Sequence, residues 1–114
     1  MPHIIVEYSR NLSEIIEISD LVIKLHDTLS AAGIDKERIK TRAIACSYVA
    51  VGDYERHGHM LHATLLLLEG RDTETKQKYG EGLHAAMKSM VEGVVRNCAV
   101  TLEIRDMDKD TYYM

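Results

Sequence analysis

The chain contains the same strand–helix–strand pattern twice, and a duplication of this kind leaves few folds open to it. A shift of about sixty-one residues superimposes the two halves. The shift places Ser9–Arg10 on Gly70–Arg71 and Asn11 on Asp72, so an arginine follows the first strand of each half. A helix that joins two strands of one sheet normally leaves those strands parallel. We therefore predict that each half forms one parallel pair of strands with a helix packed across it.

The first half predicts a strand at 3–8 and a second strand at about 39–51. Asn11 is typical of a helix N-cap, and Glu14 three residues later is the matching capping-box residue. Gly33 follows two alanines and indicates where the helix ends. Apolar residues three and four apart form the inner stripe of this helix: Ile15, Ile18, Val22, Leu25 and Leu29.

The second half predicts a third strand at about 59–69, a helix capped by Asp72 or Thr73, and a last strand followed by a polar and then aromatic tail. We expect the tail to be partly loose. The inner stripe of the second helix is Tyr79, Leu83, Ala86, Met90 and Val94, and the inward residues of the last strand are Cys98, Val100, Leu102 and Ile104.

These elements predict an α+β fold of two layers, in which tandem β-α-β repeats build a four-stranded mixed sheet with two helices on one face. We interpret residues 1–114 as one domain with pseudo-repeats at about 2–51 and 59–106. The second sheet face would stay uncovered although it carries apolar residues. This favours burial of that face against another copy of the chain.

Charge and cysteine content exclude several classes of function. The net charge is −4 with acidic and basic residues interspersed, so no basic stripe is available for a nucleic-acid backbone. No apolar segment approaches the roughly 20 residues that span a bilayer, and no secretory signal pattern is present. We therefore expect a cytoplasmic protein that binds neither nucleic acid nor membrane. Cys46 and Cys98 lie far apart and are expected to be buried thiols in a reducing compartment.

Pro2 is the only proline of the chain and directly follows Met1. A proline can simply begin a strand, where its missing N–H costs little. Removal of Met1 would instead leave a free secondary amine at the start of an apolar strand. Burial and any neighbouring cation would lower the pKa of that amine towards neutral pH, where a general base works best. The residues alone leave both interpretations open, a strand start and a catalytic base.

Four basic residues are candidates for binding an acidic ligand. Arg10 and Arg71 each precede a predicted helix, and helix N-termini favour anions. Arg42 lies in the second strand with Lys40 on the same face. An arginine beside a buried amine would both lower the pKa of the amine and hold a carboxylate in a two-pronged manner. The alternative for each of these residues is an ordinary solvated surface charge.

The histidines and Cys46 give weaker signals. His57, His59 and His62 suggest a metal site, but neither strand nor helix geometry brings all three to one face, and no standard ligand spacing completes the set. We interpret them as polar residues of a strand and its connection, and His26 and His84 as surface or boundary residues of the helices. No histidine–aspartate arrangement near Cys46 in sequence supports a thiol nucleophile.

Five segments carry a resemblance to a known family: MPHIIVEYS, IKTRAI, VGD, GRDTETKQ and TLEIRD. Together they resemble the 5-carboxymethyl-2-hydroxymuconate isomerase family of the tautomerase superfamily, which includes 4-oxalocrotonate tautomerase and macrophage migration inhibitory factor. The resemblance extends from Pro2 to about Asp108, and MPH and the GR-(D/S)-x-E-(T/S) segment are its most specific parts. It implies a tautomerase-like fold that assembles as a homotrimer whose sheets enclose a central core. Relatives continue into a longer basic tail, whereas this sequence ends at Met114.

The resemblance also implies a mechanism. Pro2 matches the amino-terminal proline whose nitrogen takes a proton from a dienol and returns it to another carbon, which gives a conjugated ketone. Arg71 matches the arginine of the GR segment, and Arg42 matches an arginine that helps to bind substrate carboxylates and polarise the 2-keto oxygen. Lys40 stands where the family has a further arginine; it keeps the charge but not the bidentate geometry. No cofactor or metal is implied, because the protein itself removes and returns the proton.

The sequence therefore predicts an isomerase that acts on an unsaturated polycarboxylate such as 5-carboxymethyl-2-hydroxymuconate in the breakdown of aromatic compounds. Two alternatives stay open. One is a tautomerase that acts on a different enol acid, of the phenylpyruvate type. The lysine at position 40, in place of the family's arginine, is the reason to consider it. The other is a trimeric binding or signalling module that has kept the fold without catalysis; retention of Met1 would favour it.

Overall fold

A four-stranded mixed sheet forms one layer of the computed structural model, which describes residues 2–114. The strands lie in the order β2-β1-β3-β4; β1 is parallel to β2 and antiparallel to β3, and β3 is parallel to β4. The predicted mixed sheet with two parallel pairs is thus confirmed. The strands are β1 (His3–Ser9), β2 (Lys40–Cys46), β3 (His59–Leu68) and β4 (Cys98–Met107), and the α-helices are α1 (Ile18–Ala31) and α2 (Thr73–Val91).

The core lies between the helices and one face of the sheet. Alternate residues of the two central strands are fully buried, which is the period expected when one face of a sheet is covered. They meet the buried stripes of α1 and α2. The predicted arrangement of two helices on one sheet face is therefore confirmed. The buried residues are Ile4 and Val6 of β1, Leu61, Ala63, Leu65 and Leu67 of β3, Leu21, Leu25 and Leu29 of α1, and Leu83, Ala86, Met87 and Val91 of α2.

The predicted start of the first helix is wrong. Residues 10–14 form a short 3-10 helix, and α1 begins only at Ile18. Asn11 lies inside this turn and caps no helix: its side-chain Nδ2 donates to the carbonyl oxygen of Gly58, 3.2 Å away at the entry to β3, and its buried Oδ1 accepts no hydrogen bond from the described residues. Leu12 is fully buried, which fixes this turn against the core. Ile15, predicted to be an inner residue, is accordingly 41% exposed.

The second helix begins where the sequence predicts. The Asp72 carboxylate accepts the backbone N–H of Thr75 at 2.8 Å. Hydrogen bonding from the Thr75 side chain, and then from this backbone N–H, holds the pKa of Asp72 below its usual range. The predicted stripe fails only at its end, because α2 stops at Val91 and Val94 lies beyond it, exposed. Neither helix within residues 2–114 has the length and apolar composition needed to cross a bilayer.

Strand β2 ends at Cys46, several residues before the predicted limit, and a loop follows in which Tyr48 is almost fully exposed. Cys46 and Cys98 are free thiols, as expected, but both are half-buried rather than buried. Cys98 lies at the start of an edge strand, where burial still raises the pKa of its thiol.

Candidate active site

A cleft of about 670 Å³ opens at the end of the sheet where β1 begins. Its walls come from the chain that leaves α1, from the end of β3 and from α2. The residues that give it chemical character are Pro2, Arg38, Arg71, Tyr79, Asp35 and Met114. The volume lies within the range of small-molecule sites, and two guanidinium groups make the cleft suitable for an acidic ligand.

Pro2 lies in the cleft, directly before β1. It is buried, and its carbonyl oxygen accepts the backbone N–H of Lys40 at 3.1 Å, so the first residue of β2 fixes its position. Strand alternation puts Pro2 on the same side as the buried Ile4, which is the side that the helices cover. A group at this position is withdrawn from bulk water yet borders open cleft volume.

Arg71 follows Gly70, which turns the chain out of β3 with a φ of +121°. Its guanidinium carbon lies 6.0 Å from the centre of the Tyr79 ring, and its Nη1 is 3.5 Å from the carbonyl oxygen of Leu68. Both contacts are long, so they hold the guanidinium loosely. Among residues 2–114 no carboxylate forms an ion pair with it. The charge of Arg71 is therefore free to meet an anion in the cleft.

Arg38 also lines the cleft, although no local sequence pattern predicts it as a site residue. It ends a short 3-10 turn, Lys36–Arg38, which Asp35 caps: Asp35 Oδ1 accepts the backbone N–H of Glu37 at 3.2 Å. The pairing register of β2 on β1 is what places Arg38 at the site. Since Lys40 pairs with His3, the residues just before β2 must lie beside Pro2. That register becomes visible only once the two strands are paired.

Lys40 and Arg42 lie on the other sheet face in this chain. They share it with His3, whose Nδ1 is 3.1 Å from Arg42 Nη1. His3 Nε2 is 2.8 Å from the Tyr112 hydroxyl, and the two rings meet edge to face. The predicted tail is thus tied to the start of β1, and Met114 reaches the cleft. Burial, with the charges of Arg42 and Lys40, lowers the pKa of His3.

The remaining candidates lie elsewhere. Arg10 is at the far end of β1, where its Nη2 donates to Ser47 Oγ at 2.9 Å. His62 contacts the Thr101 hydroxyl on the open face, while His26 and His84 bridge from the helices to β2 and β4, as boundary residues do. Within residues 2–114, no group of three His, Cys, Asp or Glu side chains is placed to hold a metal ion.

Comparisons with known proteins agree with this geometry. A family model described as 5-carboxymethyl-2-hydroxymuconate isomerase matches residues 2–114. The chain is 31% identical over 110 residues to the 5-carboxymethyl-2-hydroxymuconate Delta-isomerase of Escherichia coli, and the match covers 94% of this chain and 87% of that protein. A crystal structure of a 5-carboxymethyl-2-hydroxymuconate isomerase from Deinococcus radiodurans R1 superimposes with a TM-score of 0.88 at 28% identity, covering 99% of this chain and 87% of that one.

The fold also extends to more distant structures. A fused 4-OT described as a wild-type symmetric trimer superimposes with a TM-score of 0.73. It is 19% identical in sequence, and the match covers 98% of this chain and 90% of that one. At this level of identity the likeness concerns the tautomerase-like fold alone.

Proposed function

Because this chain belongs to the 5-carboxymethyl-2-hydroxymuconate isomerase family, we propose that it ketonises an unsaturated polycarboxylate such as 5-carboxymethyl-2-hydroxymuconate, with the nitrogen of Pro2 as the general base. The base takes a proton from the dienol and returns it to another carbon of the same molecule. The double bonds shift and a conjugated ketone forms. Substrate and product have the same composition, so the reaction needs no oxidant and no second substrate.

One observation carries this proposal: Pro2 is buried and lines a cleft that Arg71 also lines. Burial and a nearby positive charge both disfavour a protonated amine, so the nitrogen keeps its lone pair near neutral pH. The amine exists only after Met1 has been removed, and Met1 lies outside the described residues. Loss of Met1 is therefore part of the proposal.

Arg71 supplies the charge that the substrate requires. Its guanidinium group can bind a carboxylate through two parallel hydrogen bonds. It also opposes the negative charge that develops on the 2-oxygen when the dienol loses its proton. Since its contacts to Tyr79 and Leu68 are long, little has to be broken when the substrate arrives.

Arg42 and Lys40 complete the proposed substrate site from another subunit. Their side chains lie on the open sheet face, which also exposes the apolar Ile44. Burial of this face in a homotrimer would bring one copy's β2 towards the cleft of the next. A relative in fold, the fused 4-OT, is described as a symmetric trimer, which supports this arrangement.

The experiment uses the chain behind a cleavable N-terminal extension, with ketonisation of 5-carboxymethyl-2-hydroxymuconate followed by ultraviolet absorbance. Before cleavage the Pro2 nitrogen is an amide and we expect no turnover. After cleavage to a free Pro2, verified by intact mass, turnover should appear. Pro2→Ala should then lower kcat/KM by about 10²–10⁴-fold, the range of general acid–base catalysis, with little change in thermal stability.

Two results would contradict the proposal. Equal turnover before and after cleavage would remove Pro2 as the base. A protein with free Pro2 that ketonises neither this dienol nor an enol of the phenylpyruvate type would leave the binding module as the better description. Turnover of the phenylpyruvate-type enol alone would keep the base and change the substrate class.

A further inference from the structure

Two arginines stand on either side of Pro2, and the strand order explains why. Strand β1 lies between β2 and β3 in the sheet. Because β2 runs parallel to β1 and β3 antiparallel, the beginning of β2 and the end of β3 both lie beside the beginning of β1. Arg38 lies two residues before the start of β2, and Arg71 lies three residues after the end of β3. Strands two positions apart are separated by roughly 10 Å, so the two guanidinium groups can approach a ligand in the cleft from opposite sides of the proline.

Arg38 is available for a ligand. Its partner is Asp35, whose Oδ2 lies 3.9 Å from Arg38 Nε, at the limit of an ion pair. Both side chains are mainly exposed, at 65% and 62%. Exposed pairs of this length add little to stability, so a substrate carboxylate can replace Asp35 with little loss. Asp35 keeps its second contact, the N–H of Glu37, after the exchange.

From this arrangement we propose that Arg38 is a specificity-determining residue, which binds a second carboxylate of the substrate while Arg71 binds the first. The inference rests on the proposed function and deepens it by naming the residue that makes the selection: Arg38 lets the cleft favour an unsaturated acid with carboxylates at both ends over an acid with only one. Pro2 then lies between the two anchored ends, beside the carbons among which the proton moves. A monocarboxylate has no second carboxylate for Arg38 to bind, so Arg38 adds nothing to the affinity of the cleft for such a ligand.

The test measures binding rather than turnover. Isothermal titration calorimetry compares trans,trans-muconate, a six-carbon dicarboxylate, with sorbate, which has the same carbon skeleton and one carboxylate. Arg38→Ala should weaken muconate binding at least about tenfold, as expected for loss of a charged hydrogen bond, and change sorbate binding less than about twofold. Arg38→Lys should recover part of the muconate affinity, because charge returns without the fork geometry.

Three further variants sharpen the comparison. Arg71→Ala should weaken both ligands, since each presents a first carboxylate. Lys36→Ala removes the same charge from the same turn, but its ammonium group is held by Asp27 at 2.8 Å, so it should leave the muconate-to-sorbate ratio unchanged. Asp35→Asn keeps the acceptor for Glu37 and removes the competing charge, so it should tighten muconate binding a few-fold.

The inference is overturned if Arg38→Ala leaves the muconate-to-sorbate ratio as it is in the wild type, if Lys36→Ala changes that ratio equally, or if the wild type shows no measurable muconate binding at millimolar concentration. Its failure is distinct from failure of the proposed function, which the turnover assays decide. Dicarboxylate selectivity without turnover would uphold Arg38 and reject the isomerase mechanism. Turnover with no such selectivity would do the reverse.

Discussion

At the scale of single residues, the surroundings of His3 fix its protonation state. Arg42 can only donate, so the His3 Nδ1 that faces it at 3.1 Å must accept. The ring proton of neutral His3 therefore lies on Nε2 and is donated to the Tyr112 oxygen, 2.8 Å away. A doubly protonated ring would turn an N–H towards the guanidinium group. Neutral His3 thus joins β1 both to β2 and to the chain end, whereas protonation of Nδ1 removes the hydrogen bond with Arg42.

This geometry predicts a stability that depends on pH. Burial chiefly, and then the charges of Arg42 and Lys40, lower the pKa of folded His3 below 6.5, its ordinary value. Between those two pKa values the unfolded chain binds more protons than the folded one, so the free energy of unfolding falls as the pH drops below about 6.5. The contribution of His3 is fully present above that pH.

Urea unfolding at pH 8 and pH 5 checks this expectation. The wild type should lose more free energy of unfolding between the two pH values than His3→Gln, which can still accept from Arg42 and does not titrate. His57→Gln is the matched control, because His57 is exposed and forms none of these contacts. Equal losses in wild type and His3→Gln would show that His3 titrates alike in both states.

The candidate site was only partly predictable at this scale. Pro2 and Arg71 each stand in a segment whose local pattern points to them: the only proline before a strand, and an arginine at the mouth of a helix. Arg38 has no such pattern, because it stands among charged residues that look like an ordinary exposed turn. Its place beside Pro2 follows from the register of β2 on β1, a long-range pairing that no local window contains.

At the scale of whole elements, the sheet and α2 were predictable and the start of α1 was not. Alternation along β4 and the Asp72 cap are local signals, and the structure follows them. Asn11 and Glu14 give a capping box that is just as clear, but the Asn11 amide binds Gly58, forty-seven residues away along the chain. A tertiary contact thus holds Asn11 in a turn that the local pattern does not predict.

Helix α2 contains a glycine whose replacement we expect to stabilise the fold. A methyl group at Gly82 would meet only Thr28 Cγ2, at an ordinary 3.6 Å, and the φ of Gly82 suits any residue. Gly82→Ala should therefore raise the free energy of unfolding by about 0.5–1 kcal/mol, because alanine is the better helix former. Urea unfolding at one fixed pH measures the change.

Gly80 in the same helix is the matched control for that substitution. A methyl group there would lie 3.1 Å from Ile104 Cδ1, so α2 and β4 approach too closely to accept it without movement. Gly80→Ala should therefore gain less than Gly82→Ala. Equal gains in the free energy of unfolding would show that Ile104 moves aside at little cost. A lower free energy of unfolding for Gly82→Ala would mean that α1 and α2 pack more tightly than the distance of 3.6 Å indicates.

At the scale of the whole molecule, the open sheet face is the feature that a single copy leaves unexplained. It combines apolar and charged side chains, among them Ile44, half-exposed on the edge strand β2, and Arg105, which pairs with Glu103 at 2.7 Å. The two cations that the family resemblance implies for substrate binding lie on this face, whereas Pro2 and Arg71 lie in the cleft. If all four residues serve one reaction, the complete site belongs to an assembly.

Subunit mixing tests this division of the site. Pro2→Ala and Arg42→Ala should each be nearly inactive. When the two are unfolded together in equal amounts and refolded, about a quarter of all sites should unite an intact proline with an intact Arg42 from the neighbour, and turnover should return in that proportion. Pro2→Ala mixed with Arg71→Ala is the control: both residues line the cleft of one chain, so every mixed site lacks one of them and turnover stays lost. Light scattering must show three chains per particle in both mixtures. Recovery in neither mixture would place Arg42 within its own chain's site, an active Arg42→Ala would place Arg42 outside catalysis, and recovery in both mixtures would mean that Arg71 too acts across a subunit boundary.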